Sequence, residues 1–324
     1  MYLPKWSGLY VHVKWFTEDH VWNPQPMTKV ITPAFLLWLG VTLAALLVCV
    51  LFSESLERIG LVRRVHQFLN GLKRYHLLIL RVGVGLGLLM QLFTGTYLAP
   101  AFVSDHVWVY AVLILAIAGL LHRKLLVVSG AALAVLYGYA LVTYGLFHGL
   151  DYFFYAGVIY YLLVTESRWK QSATPVLYLC TGLSLAWLSM EKMTLAKLAC
   201  SLMHEYGLPT LGFTVEDFVL ISAFIEMGLA WAFIMGIMNR FTALLLTGVF
   251  LMTTTFFGFK EIVGHTIMHT ILILFIIEGS GAAKTLYQFH RTPVMRCLFV
   301  AVNFCIVVFG LMGIYIWLGQ FNPL

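Results

Sequence analysis

Ten apolar runs, most of them close to twenty residues long, recur along the chain at roughly 30–52, 76–98, 105–121, 124–145, 148–166, 174–194, 215–238, 241–258, 262–279 and 295–319. No other feature constrains the fold as tightly. Inside a hydrocarbon layer about 30 Å thick every backbone N–H and C=O has to be satisfied by the chain itself, and a run of about twenty apolar residues does this as a helix. The runs are continuously apolar rather than alternating, which excludes a closed β-barrel. Only 10% of residues are charged and 61% are hydrophobic, whereas a soluble domain is about a quarter charged. Mean hydropathy is +0.91. The expectation is an all-α polytopic membrane bundle of about ten transmembrane helices, embedded in a lipid bilayer. The third, fifth and ninth runs are short for a crossing.

Loop charge sets the expected orientation. Thirteen Lys and Arg fall on one side: Arg58, Arg63, Arg64, Lys73, Arg74, Arg123, Lys124, Arg168, Lys170, Arg240, Lys284, Arg291 and Arg296. Six fall on the other: Lys5, Lys14, Lys29, Lys192, Lys197 and Lys260. The richer side is read as cytoplasmic, which leaves both termini extracytoplasmic, in a bacterial inner membrane. Residues 1–29 hold charges, prolines and tryptophans but no apolar segment, so they read as an extracytoplasmic arm rather than a cleavable signal peptide. The arm is suited to the interface, or to docking other membrane or extracytoplasmic redox proteins. The net charge of +6 is what such loops supply and does not indicate nucleic acid. The five cysteines include no C-x-x-C pair, so a dithiol relay has no support.

The chain also resembles itself. At an offset of 117, "ILAIAGLLHRKLLVVSGAALAVLYG" (114–138) meets "WAFIMGIMNRFTALLLTGVFLMTTT" (231–255), and Gly119, Arg123 and His148 meet Gly236, Arg240 and His265. An offset of 97 relates "GLGLLMQLFTG" (85–95) to "GLSLAWLSMEK" (182–192), the difference being an insertion at 195–214. The implied order is an arm (1–29), a first helix with a basic loop (30–75), a four-helix unit (76–173), a second four-helix unit (174–279), and a loop with a last helix (280–324). Two tandem four-helix units, flanked by one helix at each end, would be related by a pseudo-twofold along the membrane normal. "GVGLGLL" (83–89) reads as small-residue helix packing.

Ionisable groups inside a span are costly, and they mark candidate sites. Glu226 stands nine residues beyond Asp217, roughly 13 Å deep at helical rise, and His269 stands eight beyond Glu261, roughly 12 Å deep. The two are expected to share a level. His265 lies one turn from His269 on the same face, and Glu191 and Lys192 end the neighbouring span. His265, His269 and Glu226 would offer three donors to copper, iron or zinc. The same groups suit a quinone head and its protons, with Glu226 and His269 catalytic and Lys192 and Glu191 tuning cofactor charge. His and Thr also serve as interhelical glue, which Thr266 and Thr270 would join. By the 117 offset only His265 has a counterpart, His148, so any chemistry belongs to the second unit.

"LPTLGFTVEDFVLISAFIEMGLAWAFIMGIMNRFTALLL" (208–246) resembles the DoxX family of four-helix membrane proteins. The likeness lies in a Leu-Pro ahead of the second helix, an embedded Glu (Glu226) and a small-residue helix ending at Arg240. "GLSLAWLSMEK" resembles that family's glycine-to-lysine helix and places Lys192. The likeness covers about 174–279, and 76–166 looks like a degenerate copy. It implies a membrane four-helix bundle in a family that includes a quinone-reducing oxidoreductase subunit and components of membrane redox assemblies. The leading expectation is a membrane redox component with a quinone or metal site facing outward. A transporter or metal-handling permease, and a scaffold or assembly factor without chemistry, are the alternatives.

Overall fold

The computed structural model describes residues 23–279 and 286–320, so the arm before residue 23 and Lys284 lie outside the described residues. Twelve α-helices run in order among these: α1 (Met27–Val30), α2 (Pro33–Glu57), α3 (Gly60–Leu72), α4 (His76–Phe93), α5 (Val107–Leu121), α6 (Leu126–Gly149), α7 (Phe154–Val164), α8 (Ala173–Thr194), α9 (Ala196–Glu205), α10 (Val215–Met235), α11 (Asn239–Glu278) and α12 (Pro293–Gln320). No strand occurs among the described residues. Seven helical stretches are long and apolar enough to cross a membrane, and Val107–Leu121 and Phe154–Val164 are shorter apolar helices. The chain is therefore an all-helical protein with the helices of a membrane bundle.

Local chemistry sets the helix ends. Thr32 caps α2, its hydroxyl accepting from Phe35 N at 3.1 Å, with Pro33 in the first turn where a missing N–H costs nothing. Thr214 caps α10 in the same way through Asp217 N, and Glu216 and Asp217 sit against the positive end of the helix dipole. α10 stops at Gly236, whose φ of +77° is the left-handed conformation that ends helices.

Two of the helices double back. α11 breaks at Gly258, φ +66°. Arg240 at its start donates to the carbonyls of Ile276 (3.0 Å) and Ile277 (2.9 Å) at its end. The stretches 239–257 and 259–278 are thus antiparallel limbs of a hairpin. α6 turns at Gly145, φ +81°, so that the Tyr137 hydroxyl reaches the Gly149 carbonyl at 2.9 Å. A side chain at either glycine would meet strain, because L-residues avoid this region.

Consecutive helices pack in sequence from α4 through α8, α10 and α11, and α11 returns to pack on α4, closing a ring. α2 and α12 pack on each other and on α10 and α8 outside it. Within this ring α7 meets α8 where Gly157 lies against Cys180 and Leu177, and α11 meets α4 where Gly83 lies against Thr270. Gly83 and Gly87 of "GVGLGLL" are thus packing glycines, as expected. The two hairpin glycines, 145 and 258, are 113 positions apart, as are the helix starts at 126 and 239. The helices therefore align four residues away from the 117 offset. Four residues is about one helical turn, which keeps apolar faces in phase and hides the shift from a sequence comparison.

Two segments read as loop or insertion carry helices. α3 occupies the basic segment after the first span, its apolar residues recurring at 61, 62, 65, 68, 69 and 72. α9 occupies the insertion at 195–214.

Candidate functional site

α8 is the most enclosed of the membrane-length helices, and it delivers two charged residues to the end of the bundle where the hairpins turn. Glu191 and Lys192 are consecutive, so they point about 100° apart around the helix. Lys192 pairs with Glu226 of α10. Glu226 is buried and Lys192 nearly so. Glu191 is buried on the other side, and it and Asp151 both lie near Tyr315 of α12. Tyr315 is itself fully buried against Trp187 and Phe147, with ring centroids 4.7 Å away in each case.

The limb after Gly145 is pinned to α8 by two side chain–backbone bonds. Trp187 Nε1 donates to the Phe147 carbonyl at 3.1 Å, and Ser184 Oγ donates to the Asp151 carbonyl at 2.5 Å. His148 and Asp151 are buried with them. Both were missed as site residues by the sequence reading, although "FHGLDY" places an imidazole and a carboxyl inside an apolar stretch. The segment before α2 covers this region: Gln25 N donates to the Thr194 carbonyl at 2.9 Å, and Pro24 packs on Gly319.

The histidine pair forms a separate group in the α11 hairpin. His265 Nδ1 lies 3.1 Å from Glu261 Oε1, one turn earlier on the same limb. Thr253 of the opposite limb donates to the same carboxylate oxygen at 2.8 Å. Phe250 stacks on His265 at 4.6 Å and meets His269 edge-on at 6.0 Å. The two imidazoles do share a face, as their spacing requires. The carboxylate with them is Glu261, however, and the partner of Glu226 is Lys192. The sequence signal for Glu261 is its i, i+4 relation to His265. No three His, Cys, Asp or Glu converge to hold a metal ion among the described residues.

Open space lies at the opposite end, called the basic end here because Lys73, Arg123 and Arg240 gather there. A cavity of about 660 Å³ is walled by the end of α2, by α3, by both ends of α11 and by Tyr287. Leu61, Val65, Leu69, Phe241 and Leu244 make it apolar, and His66, Asn70, Arg240 and Tyr287 supply polar groups. Arg240 is committed to the two α11 carbonyls and to Asn70 Oδ1 at 2.7 Å, which leaves the Asn70 amide N–H groups to donate. Lys73 lies 3.7 Å from Glu278. A second cavity of about 970 Å³ lies between the starts of α4 and α8 and the α10–α11 junction. Asn239 and Glu278 line both. Glu191, Lys192, Glu226, His265 and His269 line neither.

His66 stands on α3, ahead of the apolar α4 part of the continuous Gly60–Phe93 helical stretch. Burial holds its imidazole below the ordinary range, the Arg240 charge adds to this, and Glu57 opposes it. A neutral ring offers one N–H donor and one acceptor nitrogen. Comparison of the chain with protein-family models, curated proteins and solved structures finds no match in any of the three, so the likeness to DoxX proteins rests on the sequence motifs alone.

Proposed function

We propose that the protein is an integral membrane component of a redox system and that it binds a quinone. The observation that carries this is the 660 Å³ cavity at the basic end. A quinone needs an apolar slot for its ring and tail and a few convergent polar groups for its carbonyls. Leu61, Val65, Phe241 and Leu244 fit the first need; the Asn70 amide and the His66 ring fit the second. Reduction adds two electrons and two protons. A partner redox protein would supply the electrons, and His66 would pass protons. The proposal uses this cavity rather than the hairpin-turn end, because Lys192 and Glu226 pair with each other and neither cavity is lined by the turn-end groups. A metal held by His265, His269 and Glu226 has no comparable support, since Glu226 pairs elsewhere.

In this reading the chain crosses the bilayer ten times, each hairpin limb counting as one crossing. The units 76–173 and 174–279 are related by a pseudo-twofold, and the second is DoxX-like. The basic end faces the cytoplasm of a bacterial cell, leaving both termini outside. Equivalent glycine contacts at the two unit junctions and the 113-residue spacing support the twofold.

Binding of a short-chain quinone to the purified full chain tests the proposal. Saturable binding is expected, Leu244→Trp should abolish it by filling the slot, and Glu226→Gln should leave it unchanged. Absence of saturable binding, or full binding by Leu244→Trp, would refute it. A transporter is the second reading, favoured by one observation: a buried Lys192–Glu226 pair inside a ring of helices. Substrate uptake into proteoliposomes that disappears in Glu226→Gln, with no quinone bound, would select it.

A further inference from the structure

Helix α3 has two faces, one turned to α11 and α2 and the other turned away from the bundle. Its thirteen residues, GLVRRVHQFLNGL, span about 20 Å, too short to cross the bilayer alone, and lead through residues 73–75 into the apolar α4, which is the part long and apolar enough to span. Leu61, Val62, Val65, His66, Leu69 and Asn70 turn toward the 660 Å³ cavity. On a helical projection Arg63, Arg64 and Gln67 fall on the opposite face. No residue of α3 is buried. Leu61 and Phe68 are 71% and 69% exposed along one flank, between the arginines and the cavity-facing row. A helix with an arginine face and an open apolar flank lies in the plane of a membrane surface.

Charge says which surface. Arg58, Arg63, Arg64, Lys73 and Arg74 fall within one short stretch, with Glu54 and Glu57 as its only acids. Glu54 is taken by Arg296 and Lys73 by Glu278. Arg58, Arg63 and Arg64 enter none of the ion pairs formed among the described residues. That leaves three arginines without an ion-pair partner among the described residues, with Glu57 the one nearby acid not taken up by an ion pair, beside an apolar flank.

We infer that α3 docks on anionic phospholipid headgroups, with Arg63 and Arg64 in the headgroup layer and Leu61 and Phe68 in the acyl boundary. Each basic residue near such a surface attracts anionic lipid, and the attraction falls with salt. Because α3 is also one wall of the cavity, bound lipid holds that wall in place. The inference is independent of what the cavity holds.

The test uses the full chain in nanodiscs of phosphatidylcholine, with and without phosphatidylglycerol. Native mass spectrometry then counts retained lipid. Phosphatidylglycerol should be retained at least threefold over phosphatidylcholine, with the preference weakening as salt rises. R63Q/R64Q should bring the two lipids to parity, and Phe68→Ser should lower retention of both. Equal retention by the wild type, or an unchanged preference in R63Q/R64Q, would overturn the inference. So would a double variant whose only change is a different oligomeric mass, which would make the strip a contact between copies.

Discussion

The two ends of the bundle handle polar groups in opposite ways. At the hairpin-turn end, ionisable groups are buried inside the bundle: Lys192 pairs with Glu226, His265 Nδ1 lies beside Glu261, and Asp151 and Glu191 lie near Tyr315. Neither large cavity reaches them. At the basic end, charges sit at the rim of two cavities, and Arg240 is used to close the end of its own hairpin. Buried charge therefore does not by itself mark a binding site. An ionisable group in a membrane bundle is a strong prompt to look, but its partner decides its role, and room for a ligand is a separate property.

The comparison breaks most readily at Lys192. Removing one member of a buried pair leaves the other uncompensated, which costs about 3–5 kcal/mol. Lys192→Met should lower stability by about that amount in denaturant unfolding of the detergent-solubilised protein. Lys192→Met combined with Glu226→Leu should recover most of it. If Lys192→Met costs under about 1 kcal/mol, the pair is solvated and the turn end is as open as the basic end.

The unit junctions give the next largest effect. A Cβ at Gly157 would stand 2.9 Å from Cys180 Cβ, and one at Gly83 would stand 2.1 Å from Thr270 Oγ1. Overpacking of this kind costs about 1–3 kcal/mol. Gly157→Ala and Gly83→Ala should each fall in that range, and similar values would sharpen the case for a twofold. A tolerated Gly83→Ala beside a damaging Gly157→Ala would remove it.

Much of the fold was legible in the sequence because lipid imposes one rule, a helix for each apolar run. Nine of the helical stretches coincide with apolar runs or their hairpin limbs, and the glycines of "GVGLGLL" pack as their size requires. What stayed hidden needed a third dimension. The 113-residue spacing of the two hairpin glycines differs from the 117 offset by about one helical turn, which preserves helical phase, so no pattern of apolar residues exposes the difference. α3 was hidden because a basic segment reads as loop unless its 3.6-residue period is checked. The site was half legible. Lys192, Glu226, His265 and His269 are indeed buried or nearly so at one end, but equal depth along two helices does not fix which faces meet. Lys192 was set aside as a tuning charge, and it turned out to be the partner of Glu226. The cavity groups His66, Asn70 and Tyr287 come from three separate segments whose meeting no local motif announces.

The smallest expected effect concerns His66, and it asks whether the basic end is a cavity or a solvated rim. Burial and the Arg240 charge lower its pKa, and Glu57 partly offsets them. Below the ordinary value of about 6.5 the unfolded chain binds more protons at this site than the folded one. Stability then rises with pH through the window between the folded and unfolded values and is flat above it. Glu57→Gln removes the opposing charge, so the His66 midpoint should move further down, and the pH at which the neutral ring is lost should move with it. Ring-carbon chemical shifts of His66 followed against pH report that midpoint directly. A midpoint at the ordinary imidazole value in the wild type, unmoved by Glu57→Gln, would mean that water fills the space beside α3. The contrast between an end of buried ionisable groups and an apolar open one would then fail. A depressed midpoint that drops again on adding a quinone would tie the imidazole to the ligand, because a bound ring displaces the water that would otherwise solvate the protonated form.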